Sequence, residues 1–314
     1  MATTLYQGNT GVTTNKTLSV LYNKAIDEVI VKEMKMPLEG KEFFGERTTN
    51  LETYQEGEIS GVLEVPQRVE DTENIPLLTP IEGYKKTWTQ YTRKSGIILT
   101  EDAVKMQKTA MIGKVLNGLP RSANALQELA YNQMFTNGFD SETAGDGSYL
   151  FATDHNHEDP QFGSWSNTPA SGGDFNTDTY LAGWTSLQNR TDEKDFPCPM
   201  IPDTVYYPTA IHEAVMKVAG SDKYPQNSLN AKLPELFGQF KPKQGHWLTS
   251  STAWFIHAKT DESQKGFVIV WRQKPSFKPL SNPMNPYLIM GRAMKLAFGI
   301  GALHARDWYG NAGV

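Results

Sequence analysis

The sequence predicts an α+β fold, and three observations carry this prediction. Apolar residues keep helical spacing over about residues 100–137. Segments rich in aromatic residues and Thr, typical of strands, occur between residues 51 and 99 and again in the last third of the chain. Aromatic residues make up 11% of the chain, including seven Trp and 13 Tyr, which favours β-rich structure and buried interfaces.

The size and composition are those of a globular protein. A chain of 314 residues can bury a full core and can hold one or two domains. The hydrophobic content of 39% and the charged content of 21% are ordinary for folded proteins, so disorder is not predicted. The 26 Gly and 18 Pro are spread along the chain, which indicates many turns and extended arms.

Several classes of function are disfavoured by the charge and the cysteine count. The formal net charge is −5 and the chain has no long Lys/Arg block, so tight nucleic-acid binding is not predicted. Cys198 is the single cysteine, which excludes a disulfide within the chain, and we expect it to be a small buried hydrophobe. The N-terminus lacks the pattern of a secretory signal, and no apolar run is long enough to span a membrane.

The N-terminal part of the chain is predicted to be an extended segment followed by a helix. Residues 1–15 are polar and should be extended or poorly ordered. Residues 17–34 carry apolar side chains at spacings of three and four, which predicts an amphipathic helix that Pro37 and Gly40 end.

The next stretch is predicted to be a long two-stranded excursion. Residues 56–65 and 84–92 are strand-like, and a charged bend separates them. An isolated hairpin is marginally stable in water, so this one needs support, and a neighbouring subunit is a reasonable source of it.

A long helix is predicted over about residues 100–137. Thr100 is its N-cap, acidic residues follow in the first turn, and Gly138 ends the helix. Pro120 lies inside, and we expect it to kink one helix rather than to begin a second.

The remaining chain is predicted to alternate between loops, short helices and strands. Residues 138–178 form a long loop, of the kind that usually has a function or contacts a partner. The later predicted elements are a helix at 179–190, a strand at 204–207, a helix from Pro208 to Gly220, paired strands at 253–258 and 267–271, and a strand at 290–299 with small residues on one face.

A metal site is one interpretation of the segment Asp154-His155-Asn156-His157-Glu158-Asp159. Two imidazoles and three carboxylates would suffice chemically for a divalent ion. The helical His-Glu-x-x-His spacing is absent, however, and no third His lies nearby. We therefore favour a hydrogen-bonded turn and predict no metal, with Asp154, His155 and His157 as the candidates if one binds.

Other catalytic motifs are missing. The chain has no Gly-x-Ser-x-Gly elbow, no phosphate-binding loop and no dinucleotide fingerprint. We predict no catalytic residues and no cofactor.

The order of the predicted elements resembles the capsid fold first described for phage Hong Kong 97. The local sequence is similar to that of Mu-type head subunits, in Phe151-Ala152-Thr153-Asp154-His155 after the long helix and in the ending Asp307-Trp308-Tyr309-Gly310. The resemblance covers essentially the whole chain and implies five segments. They are an N-terminal arm and helix (1–50), an extended hairpin called the E-loop (51–99), a peripheral domain with a spine helix at about 100–137 and a loop region (100–199), an axial domain (200–285), and a final strand that returns to the peripheral domain (286–314).

The resemblance implies a structural role for the chain. Copies would form hexamers and pentamers in an icosahedral shell around phage double-stranded DNA, contacted non-specifically, in a virion assembled in the host cytoplasm. Partners would be a separate scaffolding protein, a portal and a decoration protein. Candidate inter-subunit contacts are Tyr84, Trp88, Tyr91, Arg68 and Glu70, and candidate hinges are Gly96 and Pro120.

Two alternatives stay open at this level. An encapsulin-like compartment would share the fold but hold cargo proteins. A divalent-metal hydrolase would use the 154–159 loop.

Overall fold

A computed structural model describes residues 28, 30–59, 82–100, 109–159, 161–194, 196–219, 240–280 and 288–314. Residues 30–34 are helical and the helix ends before Pro37, as predicted. The extended segment at 1–15 and most of the helix predicted from residue 17 lie outside the described residues.

Beyond that first helical segment, the described residues form three α-helices and twelve strands. The helices are α1 (Thr109–Thr136), α2 (Thr177–Gln188) and α3 (His212–Val218). The strands are β1 (Gly45–Thr48), β2 (Thr53–Ile59), β3 (Glu82–Thr89), β4 (Tyr91–Thr100), β5 (His155–Asn156), β6 (Ser164–Trp165), β7 (Pro202–Pro208), β8 (Lys241–Gly245), β9 (Trp254–Ala258), β10 (Phe267–Pro279), β11 (Leu288–Ala302) and β12 (Trp308–Asn311).

Helix α1 is one continuous helix with Pro120 inside it, so the prediction of a single helix is confirmed. Residues 101–108, where its first turns were predicted, lie outside the described residues. The helix ends two residues before Gly138, where a side chain would lie 2.7 Å from the Met134 carbonyl oxygen and 2.8 Å from the Phe151 ring. Only glycine lets the chain turn away so closely.

A mixed sheet of order β12-β9-β7-β8 is apolar on both faces. Side chains alternate across a strand, so Val205, Tyr207, Trp254 and Ile256 lie on the face covered by α2 and α3. The opposite face carries Tyr206, Phe255 and Trp308, which are also buried. Burial on both sides explains why the central strands β7 and β9 are mostly apolar in the sequence.

An aromatic cluster joins the end of α1 to that second face. The Phe135 ring lies 4.9 Å from Trp308, 5.1 Å from Phe255 and 5.2 Å from Tyr206, measured between ring centroids. Phe43, which comes from the short 3-10 helix Lys41–Phe43, adds an edge contact to Trp308 at 5.0 Å. Such aromatic pairs add about 0.5–1.5 kcal/mol each beyond the area they bury.

The prediction that strands 253–258 and 267–271 pair with each other is wrong. Strand β9 pairs antiparallel with β7 and β12, whereas β10 pairs parallel with β1 and belongs to the sheet of order β1-β10-β11-β4. A polar turn between two apolar runs is typical of a hairpin, but the partners here come from distant parts of the chain.

The chain divides into two compact units. Unit 1 comprises Met1–Leu38, Thr92–Gln127 and Gln273–Ala297, and unit 2 comprises Glu39–Tyr91, Glu128–Arg272 and Phe298–Val314. These boundaries cut through α1, β10 and β11 and differ from the five predicted segments. Within unit 1, Arg121 forms a two-pronged ion pair with Glu33, with nitrogen–oxygen distances of 3.0 and 3.1 Å.

Candidate functional site

The base of the hairpin β2–β3 is anchored to the rest of unit 2, and we call its four fixed side chains the hairpin anchor: Glu58, Tyr84, Lys86 and Trp88. The Tyr84 hydroxyl donates to the His157 carbonyl at 3.1 Å. The Lys86 ammonium donates to the Thr143 carbonyl at 2.8 Å. The base of the hairpin therefore leans on its own chain. Residues 60–81 lie outside the described residues, so the support of the hairpin by a neighbouring subunit stays a prediction.

Trp88 is the apolar part of the hairpin anchor. Its side chain is 2% exposed and packs in a core cluster with Val268, Val270 and Leu303. Gly301 makes this possible, because a side chain there would lie 2.8 Å from the indole nitrogen. Small residues on one face of the strand at 290–299 were predicted. One of them, Gly299, also lets strand β3 lie close, because a side chain there would come within 2.6 Å of the Thr89 carbonyl oxygen.

Burial disfavours the charged form of Lys86. Desolvation lowers the pKa of its ammonium, and the nearby carboxylates of Glu142 and Asp146 act in the opposite direction. The ammonium donates to three oxygens, two of Thr143 and one of Ala144. These hydrogen bonds replace part of the hydration that the ammonium loses on burial.

Glu58 reaches a buried ionic network centred on Arg306. The Arg306 guanidinium donates to Glu58 at 3.2 Å, to the Thr191 carbonyl at 2.5 Å and to Glu193. Burial raises the pKa of Glu193, Arg306 acts against this, and Glu58 adds to it. Arg306 thus balances two carboxylates and ties strand β2 to the loop that contains Thr191 and Glu193.

Trp165 lies between cationic side chains in the same network. The Arg190 and Arg306 guanidinium carbons lie 4.8 and 4.9 Å from its ring centroid, and the His155 ring stacks on it at 4.3 Å. Burial, and then the charge of Arg306, lowers the pKa of Arg190 to about 9, so Arg190 stays charged at neutral pH. Desolvated cation–π contacts of this kind contribute about 2 kcal/mol each.

Asn167 joins the two segments that carry the family resemblance. Its side chain accepts from the Ala152 amide at 2.9 Å and donates to the Leu150 carbonyl at 2.6 Å and the Ala305 carbonyl at 3.3 Å. Its backbone carbonyl accepts from the Gly310 amide at 2.9 Å. The Leu150–His155 segment and the chain ending therefore form one hydrogen-bonded structure.

The histidines of the predicted turn are buried and each faces a carboxylate. His155 Nδ1 lies 2.8 Å from Asp146 Oδ2, and His157 Nδ1 lies 3.5 Å from Glu193 Oε2. Asp154, by contrast, is exposed. In the described residues no group of three or more His, Cys, Asp or Glu side chains is arranged to hold a metal ion.

The free space in this region does not form a substrate pocket. Beside His155, Trp165 and Arg306 it amounts to about 10 Å³, enough for at most one water molecule. A larger groove of about 420 Å³ lies between the start of α2 and α3. The charged groups that line it, Glu213 and Lys217, pair with each other at 2.6 Å.

Cys198 is exposed, which corrects the expectation that it is buried. Its amide donates to the Arg190 carbonyl at 2.7 Å. Desolvation of the thiol and the charge of Asp192 raise its pKa, so the thiol form is favoured at neutral pH.

The predicted contact residues fall into three groups. Trp88 is a core residue of its own chain and is not available to a neighbour, and Tyr84 is half-buried by the hairpin anchor. Tyr91 is 64% exposed and remains a candidate. Arg68 and Glu70 lie outside the described residues.

The predicted hinge residues both lie within regular elements. Gly96 is in β4, where a side chain would lie 3.3 Å from the Arg292 carbonyl oxygen. Pro120 is buried within α1.

The residues that build the site were largely missed from the sequence. Asp146, Asn167 and Glu193 lie in loop segments with no spacing that links them. The position of Glu58 could have been recognised from the sequence, because a carboxylate within the predicted strand 56–65 requires either a cationic partner or exposure to solvent.

Comparisons with known proteins support the fold. No protein-family model matches the sequence, and no curated protein is similar enough to match it. A structure from Microbacterium phage Oxtober96 has a TM-score of 0.53 and 10% sequence identity, covering 88% of this chain and 90% of that chain. The capsid of a native GTA particle has a TM-score of 0.52 and 11% identity, covering 86% and 88%. The capsid of cyanophage P-SCSP1u has a TM-score of 0.50 and 9% identity, covering 85% of each chain.

These likenesses extend over almost the full length of both chains, and the chain has the Hong Kong 97-type fold of phage capsid proteins. The prediction of this α+β fold is confirmed. No helix in the described parts of the chain is long and apolar enough to cross a membrane.

Proposed function

We propose that this chain is a phage major capsid protein, whose copies form hexamers and pentamers in a closed icosahedral head around double-stranded DNA. The observation that carries the proposal is the likeness to two solved capsids over at least 85% of this chain. The role is structural and needs no catalytic residue or cofactor. The chain would reside in the virion after assembly in the host cytoplasm.

The hairpin anchor supports this role. A hairpin that contacts neighbouring subunits must keep its direction, and rigid positioning requires side chains held by packing and hydrogen bonds. Glu58, Tyr84, Lys86 and Trp88 fix the base of the hairpin in this way. We therefore propose that the hairpin anchor fixes the direction of the hairpin and that the rest of the two-stranded excursion binds a neighbouring subunit.

An exposed apolar pair at the same base offers a surface to a second copy. The Gln90 amide donates to the Glu52 carbonyl at 2.9 Å, which brings Leu51 and Tyr91 to neighbouring positions. Leu51 is 69% exposed and Tyr91 is 64% exposed. Aromatic side chains commonly anchor protein interfaces, so we assign this pair to an inter-subunit contact.

Several finer features of the proposal come from the family resemblance. Gly96 and Pro120 are proposed hinges that let one chain fit hexamers and pentamers. A separate scaffolding protein, a portal, a decoration protein and non-specifically bound DNA are proposed partners. The relation to Mu-type head subunits stays a prediction from the local sequence.

An encapsulin-like compartment is not favoured, because the structures that support the proposal are the capsids of a cyanophage and of a GTA particle. A metal hydrolase is not favoured either, because His155 and His157 each already face a buried carboxylate.

The test is to express the chain together with a scaffold and to examine the product by sedimentation and negative-stain electron microscopy. The proposal predicts closed shells. Monodisperse small particles, with the scaffold supplied, would contradict it. Nuclease-protected DNA in shells from infected cells would favour a phage head, and cargo protein would favour an encapsulin.

A further inference from the structure

The charges of this chain are divided unevenly between its two units. Unit 1 carries 14 Lys and Arg against 5 Asp and Glu, a formal charge of +9. Unit 2 carries 16 Lys and Arg against 30 Asp and Glu, a formal charge of −14. The net charge of −5 conceals this separation.

The basic excess of unit 1 is concentrated on neighbouring strands. Strands β10, β11 and β4 follow one another in their sheet. Their described stretches within unit 1 (92–100, 273–280 and 288–297) contain six Lys and Arg and no Asp or Glu. The six are Arg93, Lys94, Lys274, Lys278, Arg292 and Lys295. We call this set of stretches the basic strands.

Four of these six side chains are exposed. They are Lys94 on β4, Lys274 and Lys278 on β10, and Lys295 on β11. The three stretches contain no carboxylate of their own, so an anionic partner outside them would complement these cations.

Unit 2 presents the opposite charge. Its exposed carboxylates at Asp140, Asp154, Glu158 and Asp178 form no ion pair with a Lys or Arg of the described residues. Others, such as Glu82 and Glu213, are already paired with Lys85 and Lys217. The carboxylates of Asp140, Asp154, Glu158 and Asp178 therefore remain available to a cationic partner.

We propose that copies of this chain associate head to tail, with the basic strands of one copy against the acidic surface of unit 2 of the next. This proposal rests on the proposed shell function. Head-to-head contact would bring two units of charge +9 together and is disfavoured, because like-charge contact costs several kcal/mol. Head-to-tail contact is heterologous, and repeated rotation about an axis closes it into a ring such as a hexamer or a pentamer.

A second copy is favoured over nucleic acid as the partner of the basic strands. The complementary charge is present in every copy of the same chain and at the high local concentration of an assembling shell.

The experiment reverses charge on one unit at a time. Lys94→Glu, Lys278→Glu and Lys295→Glu together lower the charge of unit 1 from +9 to +3. The control, Lys217→Glu, Lys241→Glu and Lys259→Glu, makes the same change on unit 2, from −14 to −20. Both variants have a net charge of −11. A difference in assembly between them therefore depends on which unit carries the changed charges and not on the net charge.

The measurement is the critical concentration for assembly, by light scattering, at about 0.1 M and about 1 M NaCl, where the Debye length is about 10 Å and about 3 Å. We expect the unit 1 variant to raise it about tenfold or more at low salt, and the control to leave it unchanged or to lower it. High salt should remove the difference. Circular dichroism and melting of the unassembled variants establish that they fold.

Three outcomes would overturn the proposal. The unit 1 variant could assemble like the unaltered chain, both variants could be impaired equally, or the unit 1 variant could form normal shells that retain less DNA. The third outcome would assign the basic strands to nucleic acid. If the unaltered chain forms no shells at all, the proposed function fails. The charge contact can still be tested in that case, because sedimentation velocity measures whether the chain self-associates in a salt-sensitive way.

Discussion

At the scale of single residues, buried polar side chains determine the local structure around the Leu150–His155 segment. Asp146 is an example, because its carboxylate is 7% exposed and lies 2.8 Å from His155. Burial alone would raise its pKa, but the hydrogen bond and charge of His155, with support from Ser148, lower it overall. A carboxyl group with a lowered folded-state pKa stabilises the fold above its unfolded pKa of about 3.9, and this contribution is lost as the pH falls.

Asp146→Asn should therefore lower the free energy of unfolding by about 1.5–3 kcal/mol near pH 7. The gap to the unaltered chain should close as the pH falls below about 4. Urea unfolding of the unassembled subunit over a pH series measures this. Asp140→Asn is the control, because Asp140 is exposed and its carboxylate accepts from the hydroxyl of its neighbour Ser141. A gap that stays constant with pH would show that the charge of Asp146 does not matter.

Substitutions at Trp88 and Tyr91 should have different effects, the first on folding and the second on assembly. Trp88→Ala should cost about 3–5 kcal/mol of stability, because it empties a core position. Tyr91→Ala should change stability by less than about 0.5 kcal/mol, since Tyr91 is largely exposed. If Tyr91 contacts a neighbour, its removal should raise the critical concentration for assembly. Normal assembly of Tyr91→Ala would remove it from the interface.

These two residues also show what the sequence could not reveal. Both are aromatic residues at the end of one predicted strand, with similar surroundings in the sequence. Their difference depends on Gly301, which is distant along the chain and admits the Trp88 ring. The turn around His155 was predicted, but its partners Asp146 and Asn167 are brought in by tertiary structure alone.

At the scale of elements, periodicity predicted helices and strands well and predicted pairing poorly. Helix α1 and the strands at residues 202–208, 254–258 and 288–302 all lie where apolar spacing placed them. The pairing of β9 with β10 was wrong, because apolar content fixes which residues form strands but not which strands become neighbours. Pairing depends on the fit between the faces of the sheet and distant elements such as α1.

Two helical glycines test how packing overrides helix propensity. At Gly118 in α1 an added methyl group would have no atom within 4 Å, so Gly118→Ala should raise the free energy of unfolding by about 0.5–1 kcal/mol. Gly183 in α2 lies against β9 and β12, where a side chain would come within 2.7 Å of Tyr309 and 2.8 Å of Ile256. Gly183→Ala should lower stability by about 1–3 kcal/mol. Chemical denaturation of both variants measures this, and equal effects would contradict the packing around α2.

At the scale of the whole molecule, the fold and the charge distribution have different origins in the sequence. The fold could be predicted, because the order of helices and strands follows from the sequence pattern along the chain. The division into a basic and an acidic unit could not, because unit 1 is assembled from three separate stretches that the folded chain brings together. Basic stretches that lie far apart in the sequence thus belong to one unit, and the rest of the chain forms a unit of opposite sign.

The central claim is that this chain forms a closed shell through contacts between identical copies. The most direct test is a cryo-electron microscopy reconstruction of the particles formed when the chain is expressed with a scaffold. We expect an icosahedral shell of hexamers and pentamers, with Tyr91 buried between subunits and the basic strands facing unit 2 of an adjacent copy. Particles without closed symmetry, or a chain that stays monomeric with the scaffold present, would contradict it.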